Sequence, residues 1–287
     1  MKPPPFSYHR PDSVSDALTL LGSLDNAKLL AGGQSLMPMM NYRYVMPDHL
    51  IDLNRCADLA GIRVDGDRLV LGAMTRQRDI TDDPLVREHA PLLIDALYWV
   101  GHVQTRNRGT IGGSLSHLDP AAELPGVLAA YDATVTVASQ ERTREISIHD
   151  WGAGYMMPAI DETELAVAVN IPLEVGLRDH SHAFVEVARR HGDFAQAGAG
   201  VVLAGTDKGI TDARIALVGV DLAPLRLREA ERYLVDKIPT ADVIQAAAQF
   251  GRDVPGIADV HADESYRKRL AVVVVRRALQ KAAGVDL

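Results

Sequence analysis

Cysteine is almost absent from this 287-residue chain, and the one residue present, Cys56, excludes several chemistries at once. A single thiol cannot ligate an iron–sulfur cluster, form a CxxC redox pair or close an internal disulfide. Cys56 is therefore expected as a buried or half-buried thiol, and the shortage of cysteine fits a reducing, cytoplasmic setting. Aromatic residues make up only 5 % of the chain, too few for a base-stacking nucleic-acid surface. Positive charge is in deficit: 30 Lys and Arg against 38 Asp and Glu give a net charge of −8, which argues against a polyanion or an anionic membrane as main partner. The longest apolar run, LAVVVV from Leu270, is far too short to span a bilayer. The opening MKPPPFSYHRPDS holds no apolar core of signal-peptide length.

What is present reads as a globular protein, with 47 % hydrophobic and 24 % charged residues. The length exceeds what one compact core usually holds, so more than one domain is expected. FSYHRPDSVSDALTLLGSL reads as a short strand and a helix capped by Ser13 or Ser15, with Val14, Ala17, Leu18 and Leu21 at helical spacing. AKLLAGG is a strand entering a glycine turn, SLMPMMNYRYV a short helix with Ser35 as N-cap, and HLIDLNR a further strand. DDPLVREHAPLLIDALYWVG is helical in two pieces broken at Pro91. DPAAELPGVLAAYDA reads as a helix with Asp119 as N-cap, Pro120 at its first position and a kink at Pro125. TVTVAS, REISI and LAVAVNIPL are strands, and a composition break falls at residues 172–182. Beyond it AFVEVAR, QAGAGVVLAG and ARIALVGV form an antiparallel meander, with TDKG as a turn. Three helical runs follow, RLREAERYLVD, ADVIQAAAQFG and ESYRKRLAVVVVRRALQKAA, which makes the C-terminal part α+β.

Two glycine loops carry the chemistry. Ala31-Gly32-Gly33-Gln34-Ser35, with Leu36 next, links a strand to a helix; such a junction turns backbone amides outward, where phosphates bind. Thr110-Ile111-Gly112-Gly113-Ser114 offers a second amide cradle flanked by two hydroxyls. Two facing cradles suit a diphosphate. Each loop alone reads equally as an ordinary tight turn. Neither is GxGxxG, so a Rossmann site is unsupported, and neither is GxxxxGK[ST]. No GxSxG elbow points to a hydrolase. His180 and His182 share one strand face without a third ligand and read as solvated, no metal site being expected. ERTRE from Glu141 reads as a solvated turn, AGAG from Ala197 as close strand packing, and LAVVVVRRALQKA as a core-facing helix with a basic end.

AGGQSLMPMMNYR, then LIDLN, then GHVQTRNRGTIGGSLSHLDPAAELP closely resembles the medium, FAD-binding subunit of the molybdenum hydroxylases, as found in carbon monoxide dehydrogenase, quinoline oxidoreductase and the FAD domain of xanthine dehydrogenase. The likeness covers nearly the whole chain. It implies an α+β fold: a two-lobed FAD-binding domain of the vanillyl-alcohol-oxidase-like (PCMH) type over residues 1–175, with lobes 1–55 and 56–175. A C-terminal α+β domain with a three-stranded antiparallel sheet would follow at 176–287. It also implies that residues 31–35 and 110–114 wrap the FAD diphosphate from two sides. Glu123 would lie near the sugar-like parts of FAD, a carboxylate being suited to accept hydroxyl hydrogen bonds; a solvated Glu in a helix's first turn is the competing reading. Asp119 would orient the loop, His102 pack near the flavin or serve as a packing histidine, and Leu165 give a backbone or apolar contact. ARRHGDFAQAG, residues 188–198, matches a mobile loop beside the isoalloxazine ring. Many relatives carry Tyr where this chain has Phe194, which leaves stacking or shielding but no hydroxyl contact. Gln34 stands where some related flavoproteins have a histidine that bonds covalently to FAD, so noncovalent FAD is expected.

The function so implied is electron relay. Substrate would be hydroxylated on a large molybdenum-cofactor subunit, and electrons would pass through the [2Fe–2S] clusters of a small subunit to FAD and on to an external acceptor. The expected assembly holds two copies of each of three subunits, with no nucleic acid and no membrane span. No general acid or base of this chain is required for the hydroxylation. The alternatives are a stand-alone FAD oxidase of the same fold and a non-enzymatic binding protein that has lost FAD.

Overall fold

A computed structural model describes residues 2–173, 180–205 and 209–285. The first strands, β1 (Ser7–His9), β2 (Ala27–Leu30) and β3 (His49–Asp52), form a parallel sheet in the order β1-β3-β2. Parallel neighbours need crossovers, supplied by α1 (Val14–Ser23) and α2 (Leu36–Asn41). Ser13 caps α1 by accepting the Asp16 amide at 3.1 Å, and the helix buries Ala17, Leu18 and Leu21. Cys56 is buried in the same core, with Ile51, Leu59, Met74 and Leu165. Burial, reinforced by Asp12, Asp52 and other nearby carboxylates, pushes its thiol pKa up, so it is an inert packing group.

The second sheet is antiparallel throughout: β4 (Ile62–Asp65), β5 (Arg68–Gly72), β6 (Thr134–Ala138), β7 (Thr143–Ser147) and, after the small β8 (Gly152–Gly154) and β9 (Met157–Pro158) ribbon, β10 (Leu165–Pro172). Its order is β4-β5-β10-β6-β7. Between β5 and β6 lie α3 (Gln77–Asp82), α4 (Pro84–His89), α5 (Leu92–Leu97), α6 (Val103–Arg106), α7 (Ile111–His117) and α8 (Glu123–Ala130). The break at Pro91 separates α4 from α5 as expected.

Two helix details differ from the sequence reading. Asp119 caps a turn rather than α8: its Oδ1 accepts the Ala121 amide at 2.8 Å and its carbonyl the Ala122 amide at 2.9 Å. The helix therefore starts only at Glu123, and Pro125 falls in the first turn, where its missing amide costs nothing and no break follows. The ERTRE segment is also more than a solvated turn. Arg144 grips the buried Glu164 through Nε at 2.8 Å and Nη2 at 2.7 Å, which holds that carboxyl down at about 2.

The C-terminal sheet runs β11 (Ser181–Val187), β12 (Ala197–Ala204), β13 (Asp212–Val218) and β14 (Leu225–Arg226). Three long strands were expected; the fourth is a two-residue edge. On one face Phe184, Val202, Ala216 and Val218 join the core built around α5 and α8. On the other, Ala183, Val201, Leu203, Ile215 and Leu217 meet α9 (Arg228–Leu234), α10 (Ala241–Gln249) and α11 (Glu264–Ala283). A sheet covered on both faces needs no polar alternation, and every residue of β12 is buried. Gly198 permits this packing, since a Cβ there would lie 2.9 Å from Val218 Cγ2 and 3.2 Å from Phe184 Cζ. His180 and His182 are half-buried rather than solvated: burial lowers both pKa values, and neither His180 ring nitrogen finds a partner among the described residues. The composition break at 172–182 and the TDKG turn fall largely on residues outside the described set.

The two halves are tied by charge as well as by packing. Asp132, in the left-handed region at φ 50°, receives Arg226 Nη1 at 2.9 Å, Arg214 Nη1 at 3.3 Å, Arg228 Nη2 at 3.3 Å and His149 Nε2 at 2.6 Å. Burial would raise its pKa, but the His149 bond and the three guanidinium groups hold it well below the usual carboxylate range.

Candidate functional site

The two glycine loops touch. A Cβ on Gly32 would fall on the Arg108 carbonyl, 2.8 Å from its carbon and 2.9 Å from Gly109 Cα. A Cβ on Gly113 would lie 3.5 Å from Ala31 Cβ. Three side chains and one backbone amide hold the contact. Arg76 spans the seam, donating to the Arg108 carbonyl on one side and to Asn54 Oδ1 on the other. Asn54 in turn donates to the Ala31 carbonyl at 3.0 Å. Asp52 accepts from the Asn54 amide at 2.9 Å and from the Tyr8 hydroxyl. Gln77 extends the seam, its backbone amide donating to the Gly109 carbonyl at 2.9 Å. LIDLN served the sequence reading only as a resemblance; that its Asp52 and Asn54 bind the loops together required the strand register.

The loops are not equivalent. In the second, the amides are already spent: Ile111 on the Thr75 carbonyl at 3.2 Å, Gly112 on the Ala73 carbonyl at 2.8 Å, Gly113 on Thr110 Oγ1 at 3.1 Å and Ser114 on the Thr110 carbonyl at 3.1 Å. Thr110 is thus the N-cap of α7, and Gly112 lies where a Cβ would reach to 2.6 Å from Ala73 Cβ. In the first loop, none of the amides from Gly32 to Leu36 has an acceptor among the described residues. Gly33 takes φ +73°, a conformation natural to glycine. Ser35 occupies the N-cap position of α2 but makes no capping bond, which leaves its hydroxyl available. The exposed Gln34 folds its amide back onto the Gly32 carbonyl at 3.1 Å. These features fit an anionic ligand: a row of unpaired donors on a loop with no side chain in the way.

The remaining expected residues lie outside the two loops. Glu123 is buried at 8 % exposure, and its carboxyl is pushed up to about 7 by burial and by Asp119, its own backbone amide opposing. The solvated reading of this residue is thereby excluded. Across the layer, Glu186 of β11 is also buried, both of its oxygens lack partners among the described residues, and burial together with Glu123 pushes it up to about 9. The β11–β12 loop, residues 188–196, presents Phe194 at 68 % exposure. Gly192, at φ +78°, packs the loop on His102, where a Cβ would be 2.9 Å from Cε1 of the ring. His191 stacks on Tyr98 with ring centroids 4.8 Å apart. Leu165 differs: it is 3 % exposed and its side chain belongs to the core of the first lobe. Among the described residues no group of three or more His, Cys, Asp or Glu could hold a metal ion, and no helix is long and apolar enough to cross a membrane.

Known proteins place this arrangement. Residues 4–174 match the family described as the FAD binding domain in molybdopterin dehydrogenase, and residues 182–282 that of the CO dehydrogenase flavoprotein C-terminal domain. The chain belongs to the FAD-binding flavoprotein family of the molybdopterin dehydrogenases. It is 41 % identical over 286 residues, 98 % of its length and 96 % of the relative's, to the 6-hydroxypseudooxynicotine dehydrogenase complex subunit alpha of Paenarthrobacter nicotinovorans. It is 37 % identical to the carbon monoxide dehydrogenase medium chain of Hydrogenophaga pseudoflava, with 98 % of each chain covered. The carbon monoxide dehydrogenase structure from that organism superposes with a TM-score of 0.94 at 38 % identity, covering 99 % of both chains. Quinoline 2-oxidoreductase from Pseudomonas putida 86 gives 0.94 at 34 % identity, again over 99 % of both chains. This flavoprotein is an oxidoreductase component: the FAD-carrying, electron-transferring subunit of a molybdenum hydroxylase.

Proposed function

We propose that the first loop carries the FAD diphosphate on its amides, residues Ala31 to Leu36 lying along one side and Thr110 to Ser114 closing the other. The observation that carries this reading is the run of unpaired amides from Gly32 to Leu36, set hard against the second loop. The second loop serves as the wall that fixes the first. Glu123 accepts hydrogen bonds from the hydroxyls of the cofactor, and Asp119 shapes the turn that delivers it. His102 and Phe194 flank the ring, and Leu165 backs the site from the core. Gln34 has no nucleophilic ring nitrogen, so FAD is held noncovalently. When bound, FAD supplies reversible one- and two-electron redox chemistry. The protein's part is to bind it, orient it and keep water from one face.

In this reading the partners are a small subunit with two [2Fe–2S] clusters and a large molybdenum-cofactor subunit, assembled as two copies of each chain in the cytoplasm. Electrons reach FAD from the clusters and leave to an external acceptor. Relatives described as medium chains and complex subunits support such an assembly. The chain divides at residue 175 into an FAD-binding domain, with lobes 1–55 and 56–175, and a C-terminal domain.

The test is direct. Purified full-length chain should carry flavin absorbance, and acid precipitation should release all of it as free FAD. Colourless protein that cannot be reconstituted would overturn the reading, and flavin left in the acid pellet would overturn the noncovalent assignment. Flavin reduction by a small organic substrate without partners would point instead to a stand-alone oxidase.

A further inference from the structure

The segment ESYRKRL opens α11, far along the chain from both glycine loops, and contains a buried charge that the function above does not use. Arg267 is 3 % exposed. A guanidinium that deep must be paid for by bonds, and its bonds converge on one place. Nη1 donates to the Gln196 carbonyl at 2.7 Å and to the Gly219 carbonyl at 2.7 Å, and Nη2 donates to Asp259 at 2.5 Å. Gln196 is the last residue of the loop that carries Phe194, closed by the Gln196 amide on the Val187 carbonyl at 2.8 Å. Gly219, at φ +76°, lies so close beneath that loop that a Cβ would be 3.1 Å from the Ala195 carbonyl and 3.0 Å from that of Gln196. The Gly219 amide donates to the Pro120 carbonyl at 2.8 Å, in the segment leading to Glu123. One guanidinium thus pins the foot of the Phe194 loop to the turn that delivers Glu123. Asp259 is itself fixed: burial would raise its pKa, but the His261 and Ala262 amides and the Arg267 charge hold it low.

We propose that Arg267 is a positioning residue for the flavin site, holding the 188–196 loop and its Phe194 in register with the Asp119–Glu123 segment, so that cover over the ring is set from the last helix. The inference rests on the FAD reading only for the identity of what the loop covers. Nothing in the loop's own sequence supplies this hold: Asp193 ties its tip internally, to Arg189 Nη2 at 3.2 Å and to the Phe194 amide at 3.0 Å. The foot is held from outside.

The test compares wild type, Arg267→Lys and Arg267→Met in the full-length chain, with and without FAD. Removing the guanidinium leaves two buried carbonyls without donors, so amides of residues 189–196 should exchange about tenfold faster or more in Arg267→Met. Lys restores one charged donor and should bring that exchange back to within about threefold of wild type. With FAD bound, iodide should quench flavin fluorescence more strongly in Arg267→Met, and Arg267→Lys should recover. Exchange that rises equally across α11, β12 and the loop would mark a merely structural residue and overturn the proposal. So would unchanged loop exchange in a folded Arg267→Met protein. Should that protein not fold, Asp259→Ala decides: it removes the acceptor on the far side of the guanidinium, and loop exchange selectively raised by about threefold is expected, an unchanged loop being the refuting result. If wild type takes up no FAD, the FAD reading fails, and the exchange measurement still decides whether Arg267 holds the loop.

Discussion

Replacing Gly32 by Ala tests whether the two loops work as one rigid clamp. The added methyl would sit on the Arg108 carbonyl, 2.8 Å from its carbon and 2.9 Å from Gly109 Cα, and all of these are backbone atoms. The second loop has little room to retreat, because Arg76 holds the Arg108 carbonyl and the Gln77 amide holds the Gly109 carbonyl. The first loop must therefore shift. Overpacking of this kind costs about 1–3 kcal/mol, and at about 2–4 °C per kcal/mol the FAD-free protein should melt lower by several degrees. The cofactor measures the shift more sharply. A hydrogen bond to a charged group contributes about 1.5–3 kcal/mol, so misaligning even one loop amide should weaken FAD binding by about 10- to 150-fold.

The control is Gly66→Ala. Gly66, unlike Gly32, takes a positive φ, +59°, and has nothing within 4 Å of a Cβ, in the hairpin between β4 and β5. The left-handed backbone costs a non-glycine residue about 1–2 kcal/mol, so this variant should melt lower while keeping its FAD affinity. Melting curves of the FAD-free proteins and fluorescence titrations with FAD read the two quantities separately. A Gly32→Ala protein that binds FAD within about twofold of wild type would refute the clamp. So would a Gly66→Ala protein that loses FAD to the same degree, since the loss would then follow stability alone.

Three further outcomes follow from carboxyl groups whose pKa values are shifted. The Glu123 carboxyl sits near 7, raised by burial first and by Asp119; if its ionised form accepts hydroxyls from FAD, affinity should rise between pH 6 and pH 8, and Glu123→Gln should flatten that rise in calorimetric titrations. The Glu186 carboxyl is raised to about 9, chiefly by burial and then by Glu123. Its contribution to folding is fully present below the unfolded value near 4.5 and is lost as pH climbs through 9, so Glu186→Gln should gain on wild type by a few kcal/mol between pH 5 and pH 9 in denaturant titrations; parallel stability profiles would refute this. Asp132 behaves in the opposite sense. Its depressed pKa contributes stability above about 4 that is lost on acidification, so Asp132→Asn, at a site a third exposed, should cost about 1.5–3 kcal/mol at pH 7 and progressively less below pH 4 in denaturant titrations.

The strands, the helices and the order of the elements were legible because the periodicities that encode them are local. Alternation marks β6, β7 and β11, helical spacing marks α1, and the valine-rich run marks α11. The exceptions have local causes as well. Asp119 has the chemistry of an N-cap, but Pro120 and the two alanines after it close a turn that consumes its acceptors, and the helix begins a turn later than the residue types suggest. His180 and His182 resemble a solvated pair, because sequence does not reveal that α5 and α11 cover that end of β11. Arg144 was misread for the same reason: its partner, Glu164, is distant in the chain and reaches it only through the β6–β10 register. Of the candidate site, the glycine pairs were visible and the forces that hold them were not. Asn54, Arg76, Gln77 and Arg267 are ordinary polar residues in sequence, and only the tertiary fold brings their donors onto the carbonyls of Ala31, Arg108, Gly109, Gln196 and Gly219.

That difference changes what the glycines mean. In sequence, two Gly-Gly pairs suggest two equal cradles, each glycine cleared of a side chain so that a ligand can approach. In the structure, Gly32 and Gly112 are cleared for other protein backbone, and the amides of the second loop are already bonded within the chain. Only the first loop keeps its donors. An anion that gathers those donors into one direction replaces their mutual repulsion with attraction, and the second loop can stiffen them only if it does not need the same anion for its own bonds. A clamp with one jaw of free donors and one bracing jaw is therefore the arrangement in which the glycines of both loops are required although only one loop keeps amides free for an anion.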